Sequence, residues 1–137
     1  MPLTAYERVS TLTPEWTVEF GEEFDSEFLK LAEEVRVELS AQAKKLERFG
    51  PTLGRPTVDT LNASKHKNMK ELRFETGGGV WRVAFAFDPR QRAILLVAGD
   101  KSGGRSRTLY KRLIKAADSR YDDHLARVKA QKEVIRR

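Results

Sequence analysis

Hydrophobic residues recur at helical spacing in two parts of this chain. Between residues 24 and 46 they return every third or fourth position, which predicts an amphipathic helix that Asp25 or Ser26 could cap and that Gly50-Pro51 ends. The two stripes consist of Phe24, Phe28, Leu31, Val35, Leu39, Ala43 and Leu46, and of Leu109, Leu113, Ala117, Tyr121, Leu125 and Val128. Lysines and arginines separate the apolar positions of the second stripe, so we expect a basic closing helix.

Shorter stretches show the alternation or the composition of β-strands. Residues 15–21 alternate, and residues 69–101 contain three β-rich runs joined by two short turns. Residues 51–68 lack regular spacing and are interpreted as a loop with at most one helical turn. The pattern predicts an α+β fold: a small, antiparallel-rich twisted sheet, with a short N-terminal strand plus a three-stranded meander, packed with an N-terminal helical segment and a C-terminal basic helix. We divide the chain into an arm (1–14), one domain (15–128) and a basic tail (129–137).

The first turn of the meander indicates how its two strands pair. If residues 76–79 form a four-residue hairpin loop, Glu75 faces Val80 and Arg73 lies directly opposite Arg82. Like charges opposed across strands are destabilising, so this pair predicts an anion site, with phosphate as the first candidate. The alternative, which the spacing supports about equally, is that each arginine pairs with Glu71 or Glu75 on a solvated face.

The same register separates the two faces of the meander. One face is bulky and suited to pack on a helix; it carries Leu72, Phe74, Trp81, Val83, Phe85 and Phe87. The opposite face is small and charged, and we expect it to be open to a ligand; it carries Glu71, Arg73, Val80, Arg82, Ala84 and Ala86. The third run, residues 93–99, is apolar on both sides, and its register cannot be derived from the pattern.

Charge is unevenly distributed along the chain. Residues 1–50 hold 6 basic and 11 acidic side chains, whereas residues 51–137 hold 20 and 9. The second part therefore has the electrostatic character of a nucleic-acid-binding surface, although basicity alone is weak evidence. The 137 residues, 39% of them hydrophobic, suffice for one core.

Several site chemistries find little support in the composition. The chain has no cysteine and only two histidines, so we predict neither a disulfide framework nor a metal site, and no cofactor. Its longest apolar run is far too short to cross a bilayer and the N-terminus lacks a signal pattern, so we expect a cytoplasmic protein without a membrane partner.

Three further features could contribute to an anion site. The glycine-rich segment 99–104 would let backbone amides and Lys101 approach an anion, or it is a plain connection between strand and helix. Tyr110 lies off the apolar stripe of the closing helix and could stack on a base, exchange a proton if neighbouring cations lower its pKa, or simply pack. His66 could shuttle protons, but a surface histidine is the more common case.

Four strings, taken in order, resemble the RelE/HigB toxins, and most of all the phage Gp49-like HigB branch of type II toxin-antitoxin systems. They are Leu53-Gly54-Arg55-Pro56, Met69-Lys70-Glu71-Leu72-Arg73, Trp81-Arg82-Val83-Ala84-Phe85 and Ala98-Gly99-Asp100-Lys101. The resemblance covers about residues 15–125. It implies a RelE-like fold and a metal-independent endoribonuclease that cleaves messenger RNA, commonly on the ribosome, and that a cognate antitoxin, expected to be a helix-turn-helix protein, neutralises.

The resemblance also implies roles for individual residues. Arg82 corresponds to an arginine expected to contact the scissile phosphate, and Lys101 and Tyr110 fall near a family cation and a family tyrosine. Glu71 stands where RelE-like members can have lysine, which leaves the general base open. The resulting hypothesis has Arg73, Arg82, Lys101, Tyr110 and Lys70 as catalytic residues, and Lys65, His66, Lys67, Arg105 and Arg107 as RNA contacts.

Two other functions are compatible with the same scaffold. A ParE-like protein would poison DNA gyrase through its helices without cleaving RNA. A toxin-like domain without activity would serve mainly to join its antitoxin on operator DNA. Cations on the open sheet face favour the nuclease over both alternatives.

Overall fold

A mixed β-sheet with helices on both faces forms the centre of the structure. The computed structural model describes residues 16–100 and 106–136, so the predicted arm, residues 1–14, lies outside the described part. The elements are β1 (Thr17–Phe20), α1 (Glu22–Leu29), α2 (Glu33–Phe49), a 3₁₀ turn (Gly50–Thr52), β2 (Val58–Thr60), β3 (Met69–Thr76), β4 (Gly79–Phe87), β5 (Arg92–Asp100) and α3 (Ser106–Arg136). The strand order is β1-β5-β4-β3-β2, with β1 parallel to β5 and the other pairs antiparallel. The predicted α+β class is confirmed.

The N-terminal helical segment is two helices rather than the single helix that the stripe predicts. The chain leaves α1 at Lys30 and enters α2 after Ala32, yet Leu31 between them still packs on the core. Asp25 and Ser26 lie inside α1, so the prediction that they cap it is wrong. Gly21 precedes α1, and its carbonyl accepts the first amide bonds there. A side chain at Gly21 would come within 2.9 Å of a carbonyl oxygen of β5, which explains the glycine.

The segment between α2 and β3 contains a strand that the pattern did not reveal. The 3₁₀ turn supplies the one predicted helical turn, and Gly50 ends α2 with φ 54° as expected. β2 then pairs with β3 along Val58, Asp59 and Thr60. A three-residue strand is too short to display an alternating pattern, so only its pairing with β3 identifies it.

The β3–β4 hairpin has the predicted register. Thr76 pairs with Gly79, Glu75 with Val80 and Arg73 with Arg82. The loop between them is the two residues Gly77-Gly78, with φ 57° and 78°, rather than the predicted four, because Thr76 and Gly79 still pair. Two consecutive positive φ angles are what a tight hairpin turn requires, and glycine adopts them without steric cost.

Two hydrophobic cores lie on opposite faces of the sheet. The first core joins the bulky face of the meander to α1 and α2, as predicted. The second core joins the small face to α3, through Ile114, Ala117 and Tyr121. The expectation that this face is open is therefore wrong for most of its length, because Ala84 and Ala86 are completely buried under the helix. Small side chains on a strand let a helix approach closely, and only the end of the face that carries the arginines remains accessible.

The third meander strand, β5, is buried on both faces, as its apolar composition predicts. Ala93 and Leu95 belong to the first core, whereas Ile94 and Leu96 belong to the second. A register shift opposite Ala84 and Phe85 interrupts its pairing with β4. This irregularity explains why the register of β5 could not be read from the alternation of its residues.

Helix α3 is fastened to the sheet by buried ionic contacts far from the arginines. His124 Nε2 lies 2.9 Å from Asp88 Oδ2, and Asp88 also accepts hydrogen bonds from the backbone amides of Arg90 and Arg92. The Arg90 guanidinium reaches the same carboxylate at 2.8 Å and 3.1 Å. We call these residues the Asp88 cluster. The helix continues to Arg136, through the segment assigned to the basic tail. Within the described residues, none of the helices has the length and hydrophobicity needed to span a bilayer.

Candidate active site

Arg73 and Arg82 lie side by side on the face of the sheet that α3 partly covers. They are cross-strand partners, and Gly99 of β5 is the partner of Arg82 on its other side. Gly99 has no side chain, and the side chain of Leu113 from α3 lies over it, 3.4 Å from where a Cβ would be. The Arg82 side chain is 15% exposed and that of Arg73 is 39% exposed. We call these two residues the arginine pair.

A buried carboxylate lies beneath the arginine pair. Glu71 precedes Arg73 by two residues on β3 and therefore points to the same face. Its Oε1 is 4.0 Å from Arg73 Nε, its Oε2 is 3.6 Å from Arg82 Nε, and its side chain is 5% exposed. The acid pairing that was the alternative to a free anion site is thus present, through Glu71. One carboxylate faces two guanidinium groups, so the arginine pair keeps a surplus of positive charge even when Glu71 is ionised.

Tyr110 from the start of α3 completes the cluster. Its ring lies under the Arg82 guanidinium, with Arg82 Cζ 4.6 Å from the ring centroid, and its hydroxyl donates a hydrogen bond to Glu71. The ring also packs against the second core. Burial raises the pKa of Tyr110, and the charge of Glu71 raises it further, more than Arg82 opposes. The expectation that cations lower this pKa is wrong, because the nearer carboxylate disfavours a second negative charge.

The contact between Glu71 and Arg82 is incomplete. Glu71 Oε2 and Arg82 Nε are both buried without a hydrogen-bond partner in the described part of the chain, and their separation of 3.6 Å is too long for a hydrogen bond. Unsatisfied buried polar atoms are uncommon in folded proteins and concentrate where a ligand or a reaction uses them. Burial raises the pKa of Glu71 despite the opposing charges of Arg82 and Arg73. A carboxylate with a raised pKa is a stronger base than an exposed one.

Sequence reasoning underestimated Glu71. The sequence offers Glu71 as a possible partner of the arginines on their own face of the meander and as a departure from a family pattern, but not as a candidate base. What the sequence did not show is that α3 would bury the carboxylate and supply Tyr110 as its donor. The signal that could have found it is the same register that paired the two arginines.

Lys70 does not join the arginine pair. Neighbouring residues of a strand point to opposite faces, so Lys70 lies on the side of Leu72, whereas Glu71 and Arg73 lie on the other. The structure thus contradicts the inclusion of Lys70 in the catalytic set. Lys101 and Arg105 fall outside the described residues, together with the glycines at 103 and 104.

The residues predicted to contact RNA are distributed differently from the expectation. Lys65 Nζ forms an ion pair with Asp122, and His66 Nε2 lies 2.8 Å from the same carboxylate. Asp122 follows Tyr110 by three turns of α3, about 18 Å along the helix axis. Lys65 and His66 therefore hold the loop before β3 against α3 and do not line the arginine pair. Lys67 and Arg107 are exposed, the latter in the first turn of α3.

Among the described residues, the titratable groups of the site are the two arginines, Glu71 and Tyr110, with Asp59 beside Glu71 on β2 and paired with Arg55. Such a set can bind a phosphate through the guanidinium groups and can accept one proton on Glu71. In the described part of the chain, no three histidine, cysteine or acidic side chains are grouped as metal ligands. A half-buried, neutral tyrosine beside an ionisable base is one arrangement that permits proton transfer.

Comparison with known proteins places this chain in a family. Residues 26–122 match the model of the phage-derived Gp49-like proteins (DUF891). The Mycobacterium tuberculosis protein named "Putative toxin HigB2" is 52% identical over 82 residues, which are 59% of this chain and 40% of that protein. The one named "Putative toxin HigB3" is 44% identical over 99 residues, 72% of this chain and 84% of that protein. The match thus spans less than half the length of HigB2.

A solved structure supports the same grouping at the level of the fold. A variant of the Escherichia coli toxin RelE in which two arginines are replaced by alanine, solved in the free state, superimposes on this structure. The TM-score is 0.50 at 12% identity, over 74% of this chain and 97% of RelE. The fold is thus that of the RelE/HigB toxin superfamily, as the sequence strings predicted. Within that superfamily, the chain belongs to the Gp49-like family.

Proposed function

We propose that this protein is the toxin of a type II toxin-antitoxin system and that it cleaves messenger RNA at the arginine pair. The observation that carries the proposal is the arrangement of two guanidinium groups over one buried, incompletely bonded carboxylate. That arrangement offers a phosphate a net positive site and offers its neighbouring hydroxyl a base. Similarity to proteins named as HigB toxins and the RelE-like fold support the same function.

The proposed reaction is attack of a ribose 2′-hydroxyl on the adjacent phosphorus. The new bond joins the 2′-oxygen to phosphorus, and the bond from phosphorus to the 5′-oxygen of the next nucleotide breaks. Glu71 accepts the proton of the attacking hydroxyl, which its raised pKa favours. Arg73 and Arg82 stabilise the charge that develops on the phosphoryl oxygens. The reaction leaves a cyclic phosphate and a free 5′-hydroxyl and, in this proposal, needs no metal ion.

Tyr110 is the proposed donor of the proton that the leaving group needs. Because its pKa is raised, the phenol stays protonated at neutral pH and can give its proton to the departing 5′-oxygen. The hydrogen bond between Tyr110 and Glu71 then returns the proton that Glu71 has taken. Lys101 remains a predicted additional cation, and Lys67, Arg105 and Arg107 remain predicted RNA contacts.

The proposed setting is the cytoplasm, with messenger RNA on the ribosome as substrate. A cognate antitoxin, a helix-turn-helix protein encoded next to the toxin, would neutralise it. A reading frame of that kind beside the toxin gene, whose product suppresses the growth arrest on co-expression, supports this partner. A product that leaves growth arrest unchanged contradicts it.

Arg82→Ala tests the nuclease directly. We expect the variant to fold normally and to lose growth arrest, with transcript cleavage reduced roughly 10²- to 10³-fold, because one donor to the developing charge is gone. Mapping of transcript 5′ ends after induction measures cleavage, and thermal unfolding checks the fold. Arg48→Ala is the matched control, since Arg48 is exposed on α2, away from the arginine pair.

The same experiment separates the nuclease from its alternatives. Unaltered transcript cleavage in the Arg82→Ala variant removes Arg82 from the site. Growth arrest by the wild-type protein with intact transcripts and broken DNA favours the ParE-like gyrase poison. Absence of both arrest and cleavage favours a domain that acts only with its antitoxin on DNA.

A further inference from the structure

A second basic feature runs beside α3 and is separate from the arginine pair. A groove of about 530 Å³ lies between this helix and the loop that precedes β3. Its walls include Lys111 and Lys115 on successive turns of α3, and Lys65 from the loop. We call it the lysine groove. Of the predicted catalytic residues that the structure describes, none lines it.

The lysine groove begins where the arginine pair ends. Lys111 follows Tyr110 directly in the sequence, and Ile114, one turn after Tyr110, lines the groove and packs in the same core. Four residues of helix separate Lys111 from Lys115, about 6 Å along the axis. That spacing is close to the separation of neighbouring phosphates in a nucleic-acid strand. A strand whose phosphate is held by Arg82 can therefore continue along α3.

The acidic side chains of the groove are already engaged by the loop. Asp118 accepts hydrogen bonds from the Ser64 hydroxyl and from the Lys65 amide, and Asp122 binds the Lys65 ammonium and the His66 ring. Lys111 and Lys115, in contrast, are exposed and form no ion pair with any described residue. The positive charge that remains available is thus at the end nearest the arginine pair.

We infer that the lysine groove is a binding track for the single-stranded RNA that leaves the arginine pair. This inference rests on the proposed function and extends it from one phosphate to several nucleotides. Lys111 and Lys115 bind two successive phosphates as point charges, and the apolar surface of Ile114 between them contacts a base or a ribose. Single strands fit because their bases are free to turn toward such a surface, whereas the bases of a duplex are not.

Binding of non-cleavable RNA tests the track independently of catalysis. The probes are a fully 2′-O-methylated trinucleotide and a dodecanucleotide, with affinity measured by fluorescence anisotropy at several salt concentrations. For the double variant K111Q/K115Q we expect roughly tenfold weaker binding of the dodecanucleotide, with the salt slope reduced by about 1.4 because two phosphate contacts are lost. Trinucleotide binding, which reports on the arginine pair, should be unchanged.

The matched control is K129Q/K132Q, which removes the same charge from exposed positions further along the same helix. Equal losses in the two double variants overturn the inference, as does absence of dodecanucleotide binding to the wild-type protein or a preference for duplex RNA of the same sequence. A failure of the proposed function looks different: Arg82→Ala then cleaves transcripts like the wild type. Loss of cleavage in that variant, with K111Q/K115Q equal to its control, rejects the lysine groove alone.

Discussion

Glu71 and Asp88, the two buried carboxylates among the described residues, differ in how completely their hydrogen-bonding capacity is satisfied. Asp88, at the β4–β5 turn, is fully buried and accepts hydrogen bonds from Arg90, Arg92 and His124. Glu71, which pairs with Ala84 within the sheet, is nearly as buried, but its Oε2 has no hydrogen-bond partner in the described part of the chain. Both carboxylates face arginines, so burial and charge do not distinguish them. The completeness of their hydrogen bonding does.

The pKa shifts of the two carboxylates follow this difference. Burial alone would raise the pKa of Asp88, but the hydrogen bonds from His124 and Arg90 outweigh it and hold the pKa below its usual value of 3.8. Burial also raises the pKa of Glu71, and there the arginines do not compensate. A satisfied carboxylate stabilises the fold, whereas an unsatisfied one is a reactive group. We therefore assign the Asp88 cluster to stability and propose that Glu71, with the arginine pair and Tyr110, serves function.

The largest effect is expected for Asp88→Ala. The substitution removes the acceptor for the His124 ring, the Arg90 guanidinium and two backbone amides, which leaves partly buried donors without a partner. We expect the free energy of unfolding to fall by about 3 kcal/mol. Chemical denaturation measures the change, with Asp123→Ala, an exposed acid on α3, as the control. A loss no larger than that of the control contradicts the assignment to stability.

The two carboxylates should change the stability of the fold in opposite directions as the pH falls. The folded-state pKa of Asp88 is depressed, so its contribution is present above the unfolded pKa and is lost as the pH falls through the folded pKa. The pKa of Glu71 is raised, so the folded state takes up a proton first and gains stability as the pH falls toward 4.5. Asp88→Ala should therefore reduce the loss of stability at acid pH without abolishing it, because the pKa values of Glu27, Asp59 and Asp122 are lowered as well.

Glu71→Gln should have the next largest effect, and on the rate of cleavage. The amide keeps the shape of the side chain but cannot accept the 2′-hydroxyl proton, so we expect kcat to fall about 100-fold. In the wild-type protein the rate should fall as the pH drops through the raised pKa of Glu71, and this acidic limb should be absent in the variant. Single-turnover cleavage at several pH values measures both. A persistent acidic limb in Glu71→Gln assigns the base to another residue.

The smallest effect is expected for Tyr110→Phe. The ring and its contact with Arg82 remain, while the hydroxyl that donates to Glu71 is lost. We expect a decrease in kcat of roughly tenfold with KM unchanged, because water can replace the phenol as proton donor. Tyr110→Ala, which also removes the ring under Arg82, should raise KM in addition. Equal kinetics for the two variants contradict the role of the ring, and wild-type kinetics in Tyr110→Phe contradict proton transfer by the hydroxyl.

The hairpin shows how far local patterns predict this structure. Its register followed from a glycine-rich turn and two flanking strands, because short hairpins connect residues that are close in sequence. That register alone brought Arg73 next to Arg82. The helical stripes likewise indicated which residues are buried, although not that Ala32 and its neighbours interrupt the first helix, since the apolar spacing continues across the break.

By itself, the sequence determined the α+β class, the two helical regions, the hairpin register and the strings shared with the RelE/HigB toxins. Only the tertiary structure decided which face of the sheet α3 covers, that Lys70 lies opposite the site, and that Lys65 and His66 bind Asp122 rather than line the arginine pair. It also decided that Glu71 is buried beside Tyr110. The physical reason is that periodicity records which side of an element is apolar, whereas burial and pKa depend on contacts between residues far apart in the chain.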